Sequence, residues 1–151
     1  MTATLVQFIQ LLFGLVAFVI GLRFLLHFSQ ADYYNPITQG IVKVTNPLVL
    51  PLQKLLPPQG RLDLATLVLL ILVKVFSLAV LIFLITGSAS LPWLSLVIAA
   101  ASASLKALLD IYFFALIIMI ILSWVAPQAN HPGAILIYQI TAKSYYQIVE
   151  R

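Results

Sequence analysis

The sequence predicts an all-α membrane protein, with three transmembrane helices, short amphipathic interfacial helices and an incomplete internal repeat. Three observations carry this. Apolar runs at Leu5–Phe28, Leu64–Thr86 and Leu105–Val125 are each about 20 residues or longer, enough for a helix to cross a hydrocarbon core of roughly 30 Å. Hydrophobic residues make up 63% of the chain and charged residues only 8%, against about 25% charged in soluble domains. Mean hydropathy is +1.13. With so few charges, most of the surface must face lipid.

The first run has no Lys or Arg before it, outlasts the apolar region of a signal peptide and lacks a following small-residue cleavage pattern. It is expected to be a retained span. Residues 29–35 are polar and turn-like. Two short pieces follow, Pro36–Thr45 and Asn46–Leu56, neither long enough to span. Asn46-Pro47 reads as an N-cap followed by a first-turn proline, so the second piece is expected to start a helix of its own. Ile37, Ile41, Val44, Leu48, Leu52 and Leu55 are expected toward lipid, with Thr38 and Gln53 toward water. Pro57, Pro58 and Gly60 end the segment. Asp63 stands where the second span needs its N-cap, and Gly87-Ser88 carries its stop signal.

Residues 88–104 are uncharged. Leu94–Ala103 is too short to cross alone. It reads equally as an interfacial or re-entrant helix or as an extension of the third span. Ala126-Pro127 ends that span, and a more polar tail follows.

Lys/Arg distribution sets the expected topology. Lys43, Lys54 and Arg61 lie between the first two spans, and Lys143 and Arg151 in the tail. Lys106 alone lies near the other side. The N-terminus is expected outside, with loop and tail cytoplasmic. A net charge of +4 spread along the chain forms no basic stripe, which argues against nucleic acid. There are no cysteines, so disulfides and thiolate chemistry are excluded.

A shift of 96 positions carries Asn35-Pro36 onto His131-Pro132, Ile41 onto Ile137 and Thr45 onto Thr141. The order of span, polar turn, proline and amphipathic segment repeats with it. Residues 1–88 are expected to form a first unit and 89–151 a partial second one. After Thr141 nothing matches Asn46-Pro47 or Pro51.

These residues carry a resemblance. Arg23-Phe24, Asp32-Tyr33-Tyr34-Asn35-Pro36, Lys43-Val44-Thr45-Asn46-Pro47, Pro51, Leu56-Pro57 and Gly60-Arg61-Leu62-Asp63-Leu64, in that order, resemble the signature of the YggT (YlmG) family. The resemblance implies a protein of the bacterial inner membrane, with relatives in chloroplasts. It implies links to osmotic-stress survival, potassium uptake, cell division or complex assembly, and brings no agreed biochemical activity. The expected function is therefore non-enzymatic: support of membrane complexes or of osmotic balance through protein partners or self-association. A small oligomeric potassium channel or transporter subunit is the alternative.

No enzyme constellation or cofactor motif is present, and His27 and His131 lack metal-ligand spacing. His27 is expected to be an interfacial polar residue. The intramembrane polar residues Arg23, Lys74, Lys106 and Asp110 are the candidates for chemistry. A bare charge at mid-membrane costs at least about 2.5–3.5 kcal/mol. Lys74 and Asp110 are accordingly expected to pair inside the bundle. Tyr33, Tyr34, Trp93, Trp124 and Tyr138 fall near predicted span ends, as aromatic belts do.

Overall fold

The computed structural model describes residues 2–88, 90, 92–125 and 131–143. The tail beyond residue 143, including Arg151, and the end of the third span at 126–130 lie outside the described residues. Helix α1 runs Thr2–Phe28, α2 Pro36–Leu55, α3 Leu64–Thr86, α4 Trp93–Val125 and α5 Pro132–Tyr138; α5 passes into a π-turn at Gln139–Lys143. Among the described residues no strand forms.

Three helices, α1, α3 and α4, are long and apolar enough to span a membrane. Little of them is buried inside the protein: 17% of the most apolar stretch of α1 and 11% in α3 and α4. Phe8, Leu11, Leu15, Phe76, Phe83 and Phe113 all point outward. Outward-facing aromatic and aliphatic side chains on uninterrupted helices suit lipid, where every backbone group must be satisfied within its own segment.

Helix α3 begins and ends as its sequence predicts. The Asp63 side chain accepts from Thr66 N, and Gly87 takes the left-handed conformation (φ 65°) that closes a helix without a Cβ penalty. Leu94–Ala103 proves to be the N-terminal part of α4, which has 33 residues. At 1.5 Å per residue it is about 50 Å long, so it must tilt or project beyond a roughly 30 Å core.

Helix α2 corrects an expectation. Pro36–Leu55 is one helix of 20 residues, with Pro47 and Pro51 inside it. The N-cap is Asn35, whose side chain accepts from Ile37 N at 3.0 Å, and Pro36 follows in the first turn. Asn46 caps nothing, because its side chain is taken by Arg23 of α1. An interior proline costs about 3 kcal/mol or more. Packing offsets this cost: Val49, two residues from each proline, is fully buried.

The outward face of α2 is also corrected. Val44, Leu48 and Leu55 are exposed, but Ile41 and Leu52 pack on the protein interior. The buried face is Thr38, Thr45 and Val49. The Thr45 hydroxyl turns inward to a buried cation, Arg23 of α1.

The main core joins all four long helices, with Ala17, Ile20 and Phe24 of α1, Val49 of α2, Leu69 and Leu70 of α3, and Leu108 and Ile111 of α4. Gly21 lets α1 approach α4 closely; a Cβ there would stand 2.7 Å from the Ile111 Cδ1. A second cluster, Leu26, Ala115, Leu136 and Ile140, seats α5 and the π-turn against α1 and α4.

Candidate functional site

Near its C-terminal end α1 carries Arg23, only 8% exposed. Burying a cation in an apolar bundle is tolerable only with acceptors around it. Helix α2 supplies three, all on Nη1: the Thr45 hydroxyl at 2.7 Å, the Asn46 Oδ1 at 2.8 Å and the Val42 carbonyl at 3.1 Å. The Pro47 ring removes the N–H that would bond the Lys43 carbonyl, and the guanidinium docks just upstream of that ring. Thr45, which the sequence marked only as a motif residue, and Asn46, which it also read as an N-cap, thus hold this buried cation.

Asp63 stands at the head of α3, 1% exposed. It accepts from Thr66 N at 3.2 Å, from the Thr66 hydroxyl at 2.5 Å and from Gln53 Nε2 at 2.9 Å. The Gln53 contact ties α2 to α3, which is why Gln53 faces inward and not toward water. His27, expected as an interfacial polar residue, approaches the Gly60 carbonyl with its Nε2 at 3.2 Å. A carbonyl can only accept, so Nε2 carries the proton in this arrangement. Gly60 has φ 60°, a left-handed turn conformation glycine adopts without strain.

Arg23, His27, Thr38, Gln53, Gly60 and Asp63 line one pocket of about 310 Å³ among α1, α2 and the turn before α3. Thr38 is 5% exposed and its hydroxyl has no hydrogen-bond partner among the described residues. Sequence reasoning placed Thr38 on the water side. Its spacing of seven from Thr45, two helical turns on one face, was the available signal.

The remaining candidates lie elsewhere. Asp110 pairs with Lys106, one turn earlier on α4, at 2.6 Å, and not with Lys74. An i, i+4 partner on the same helix is always within reach, whereas Lys74 sits on another helix. Lys74 is half-buried and joins no ion pair among the described residues. The Lys106–Asp110 pair faces outward, with side chains 76% and 51% exposed. Pro47 and Pro51 line a shallow groove on α2 with Leu50 and Lys54, and Pro57 is exposed in the turn.

The two proline-led helix starts have the same local geometry. Asn35 accepts from Ile37 N at 3.0 Å, and His131 Nδ1 accepts from Gly133 N at 3.3 Å. They also touch: Asn35 Nδ2 donates to the Pro132 carbonyl at 2.8 Å, and Asp32 N donates to Gln139 Oε1 at 2.9 Å. Thr45 and Thr141 each donate to the carbonyl four residues back at 2.7 Å.

The profile of the CCB3/YggT family matches residues 2–85. An uncharacterised protein of Pseudomonas aeruginosa is 39% identical over 135 residues, covering 89% of this chain and 68% of the relative. An uncharacterised protein encoded in the proC 3′ region of Vibrio alginolyticus is 37% identical over 88% of this chain and 71% of its own length. The uncharacterised protein YggT of Escherichia coli is 30% identical over 91% and 70%. No solved structure matches the chain.

Proposed function

The chain belongs to the CCB3/YggT family, and on that premise we propose that it is a non-enzymatic protein of the bacterial inner membrane. It works through contacts with other membrane proteins, in the assembly of a membrane complex or in osmotic and ion balance. One observation carries the reading: Lys106 and Asp110 are exposed on the outer face of a spanning helix. Even paired, such charges are costly against lipid. Ser95, Ala99 and Ser102 continue the same exposed face toward the helix start. Small and polar residues on one face are what packed transmembrane helices place at their interfaces. A partner helix laid along this face covers the pair and approaches closely over the small residues.

Arg23, by contrast, is held through its Nη1 by three acceptors on α2. It reads as a fastener between α1 and α2, not as a charge on an ion path. The relatives named above carry no enzymatic name. We read residues 1–88 and 89–151 as a complete and a partial copy of one unit, supported by the matching caps at Asn35 and His131.

Photo-crosslinking in native membranes tests the proposal. A crosslinker at Ser102 should give a defined adduct that weakens when Lys106 and Asp110 are replaced together by Met and Leu. A crosslinker at Phe83, exposed on α3, is the control. No adduct at Ser102 above the Phe83 level would remove the basis for a partner on α4. Potassium flux through the purified protein in liposomes would replace this reading with a conducting oligomer.

A further inference from the structure

We propose that the pocket between α1, α2 and the turn before α3 binds a zwitterionic group in which a phosphate is joined to a primary ammonium. The site is separate from the α4 face on which the proposed function rests, so either can fail alone.

Location comes first. His27 is the last residue but one of α1, and Asp63 immediately precedes α3. Both helices are apolar spans. A polar pocket at the shared end of two spans lies at the depth of lipid headgroups. Its volume of about 310 Å³ is within the roughly 300–1,000 Å³ of small-ligand clefts.

The charges specify the ligand. Arg23 and Asp63 both line this pocket, yet form no ion pair with each other; the only pair among the described residues is Lys106–Asp110. One fixed cation and one fixed anion across a shared space suit a ligand that carries both signs. A simple anion would meet the Asp63 carboxylate as well as Arg23.

The unused hydrogen-bonding capacity agrees. Arg23 meets its protein acceptors through Nη1 alone, and a guanidinium has five N–H donors in one plane, suited to phosphate. The Thr38 hydroxyl, buried and without a partner among the described residues, adds a donor to the pocket lining. A buried hydroxyl left unbonded is unfavourable, and a ligand oxygen would relieve it. Asp63 uses three of about four acceptor sites. The Gly60 carbonyl, with one bond from His27, has a second lone pair. Both can accept from an ammonium N–H. A trimethylammonium has no N–H to give, so the site discriminates against choline.

The experiment uses full-length protein in a neutral detergent. Thermal stability and ligand retention by native mass spectrometry are measured with short-chain phosphatidylethanolamine, phosphatidylcholine and phosphatidylglycerol, with O-phosphoethanolamine and with inorganic phosphate. Phosphatidylethanolamine should stabilise and stay bound, and phosphatidylcholine should bind at least about tenfold more weakly. If O-phosphoethanolamine binds equally well, the soluble zwitterion is the ligand; if only the lipid binds, the headgroup is. Thr38→Val should lower affinity about tenfold, the loss of one hydrogen bond to a charged group. It should leave the unliganded melting temperature unchanged or raised, since this hydroxyl bonds nothing in the protein. Thr38→Ser should bind as the parent does. Equal binding of phosphatidylcholine, phosphatidylglycerol or inorganic phosphate would overturn the proposal, as would an unchanged affinity in Thr38→Val.

Discussion

Arg23 donates from Nη1 to the Thr45 hydroxyl at 2.7 Å, and that hydroxyl in turn donates to the Ile41 carbonyl at 2.7 Å. Ninety-six positions further on, Thr141 lies 2.7 Å from the Ile137 carbonyl and 2.8 Å from the sulfur of Met119. Met119 is the residue onto which the same shift carries Arg23. The two threonines thus sit in matching helical settings, one under a cation and one under a thioether.

This relationship predicts how Arg23 variants behave. Arg23→Ala should cost roughly 2–4 kcal/mol, since it empties the space and strands buried acceptors on α2. Arg23→Met should cost about half as much, because a thioether already fits over a threonine in this fold. Denaturant unfolding in mixed micelles measures both. An Arg23→Met variant less stable than Arg23→Ala would show that charge, not filling, is what Thr45 requires.

Asp110 should show energetic coupling to Lys106 and none to Lys74. In detergent the coupling is that of an exposed i, i+4 pair, about 0.3–0.5 kcal/mol. A double-mutant cycle with Asp110→Asn and Lys106→Met reads it directly. The same cycle with Lys74→Met should be additive. Coupling to Lys74 above that to Lys106 would contradict the observed pairing.

Asn35 has two separable tasks. Its Oδ1 caps α2 and its Nδ2 holds the start of α5. Asn35→Asp keeps the cap and loses the donor, whereas Asn35→Ala loses both. The alanine variant should therefore be less stable by the value of an N-cap, roughly 1 kcal/mol. Both should speed proteolysis within residues 131–143, because both release the Pro132 carbonyl. Protection equal to the parent in Asn35→Asp would mean that packing alone seats α5.

Reporter fusions at Gly60 and Arg151 should both read cytoplasmic. The positive charges of the loop motivate this. The Asn35–Pro132 and Asp32–Gln139 contacts add a geometric reason, since they put the turn after α1 and the segment after α4 at one end of the bundle. Opposite readings from the two fusions would exclude the arrangement.

The three spans, the approximate limits of the first two and the caps of α3 were legible in the sequence, whereas the start of the third, at Trp93 and not Leu105, was not. Each rests on a local quantity: an apolar run measured against bilayer thickness, or a side chain bonding the backbone three residues on. Asn35-Pro36 and Asn46-Pro47 carry the same local signal, and locally nothing separates them. Only the approach of α1, which diverts the Asn46 side chain to Arg23, makes one a cap and the other a mid-helix anchor. Thr38 and Thr45 look like solvent-facing residues on an isolated helix. Both are buried in the folded protein, and Thr45 is so as an acceptor of the buried Arg23 cation. Asp110 takes Lys106, its i, i+4 neighbour on α4, a spacing legible in the chain, and the expected pair with Lys74 of another helix does not form. The sequence alone determined which segments are long and apolar enough to enter the membrane, through hydropathy and length, and it displays the i, i+4 spacing of Lys106 and Asp110; the tertiary structure decided which polar groups on different helices meet, because those contacts depend on distance across the packed bundle.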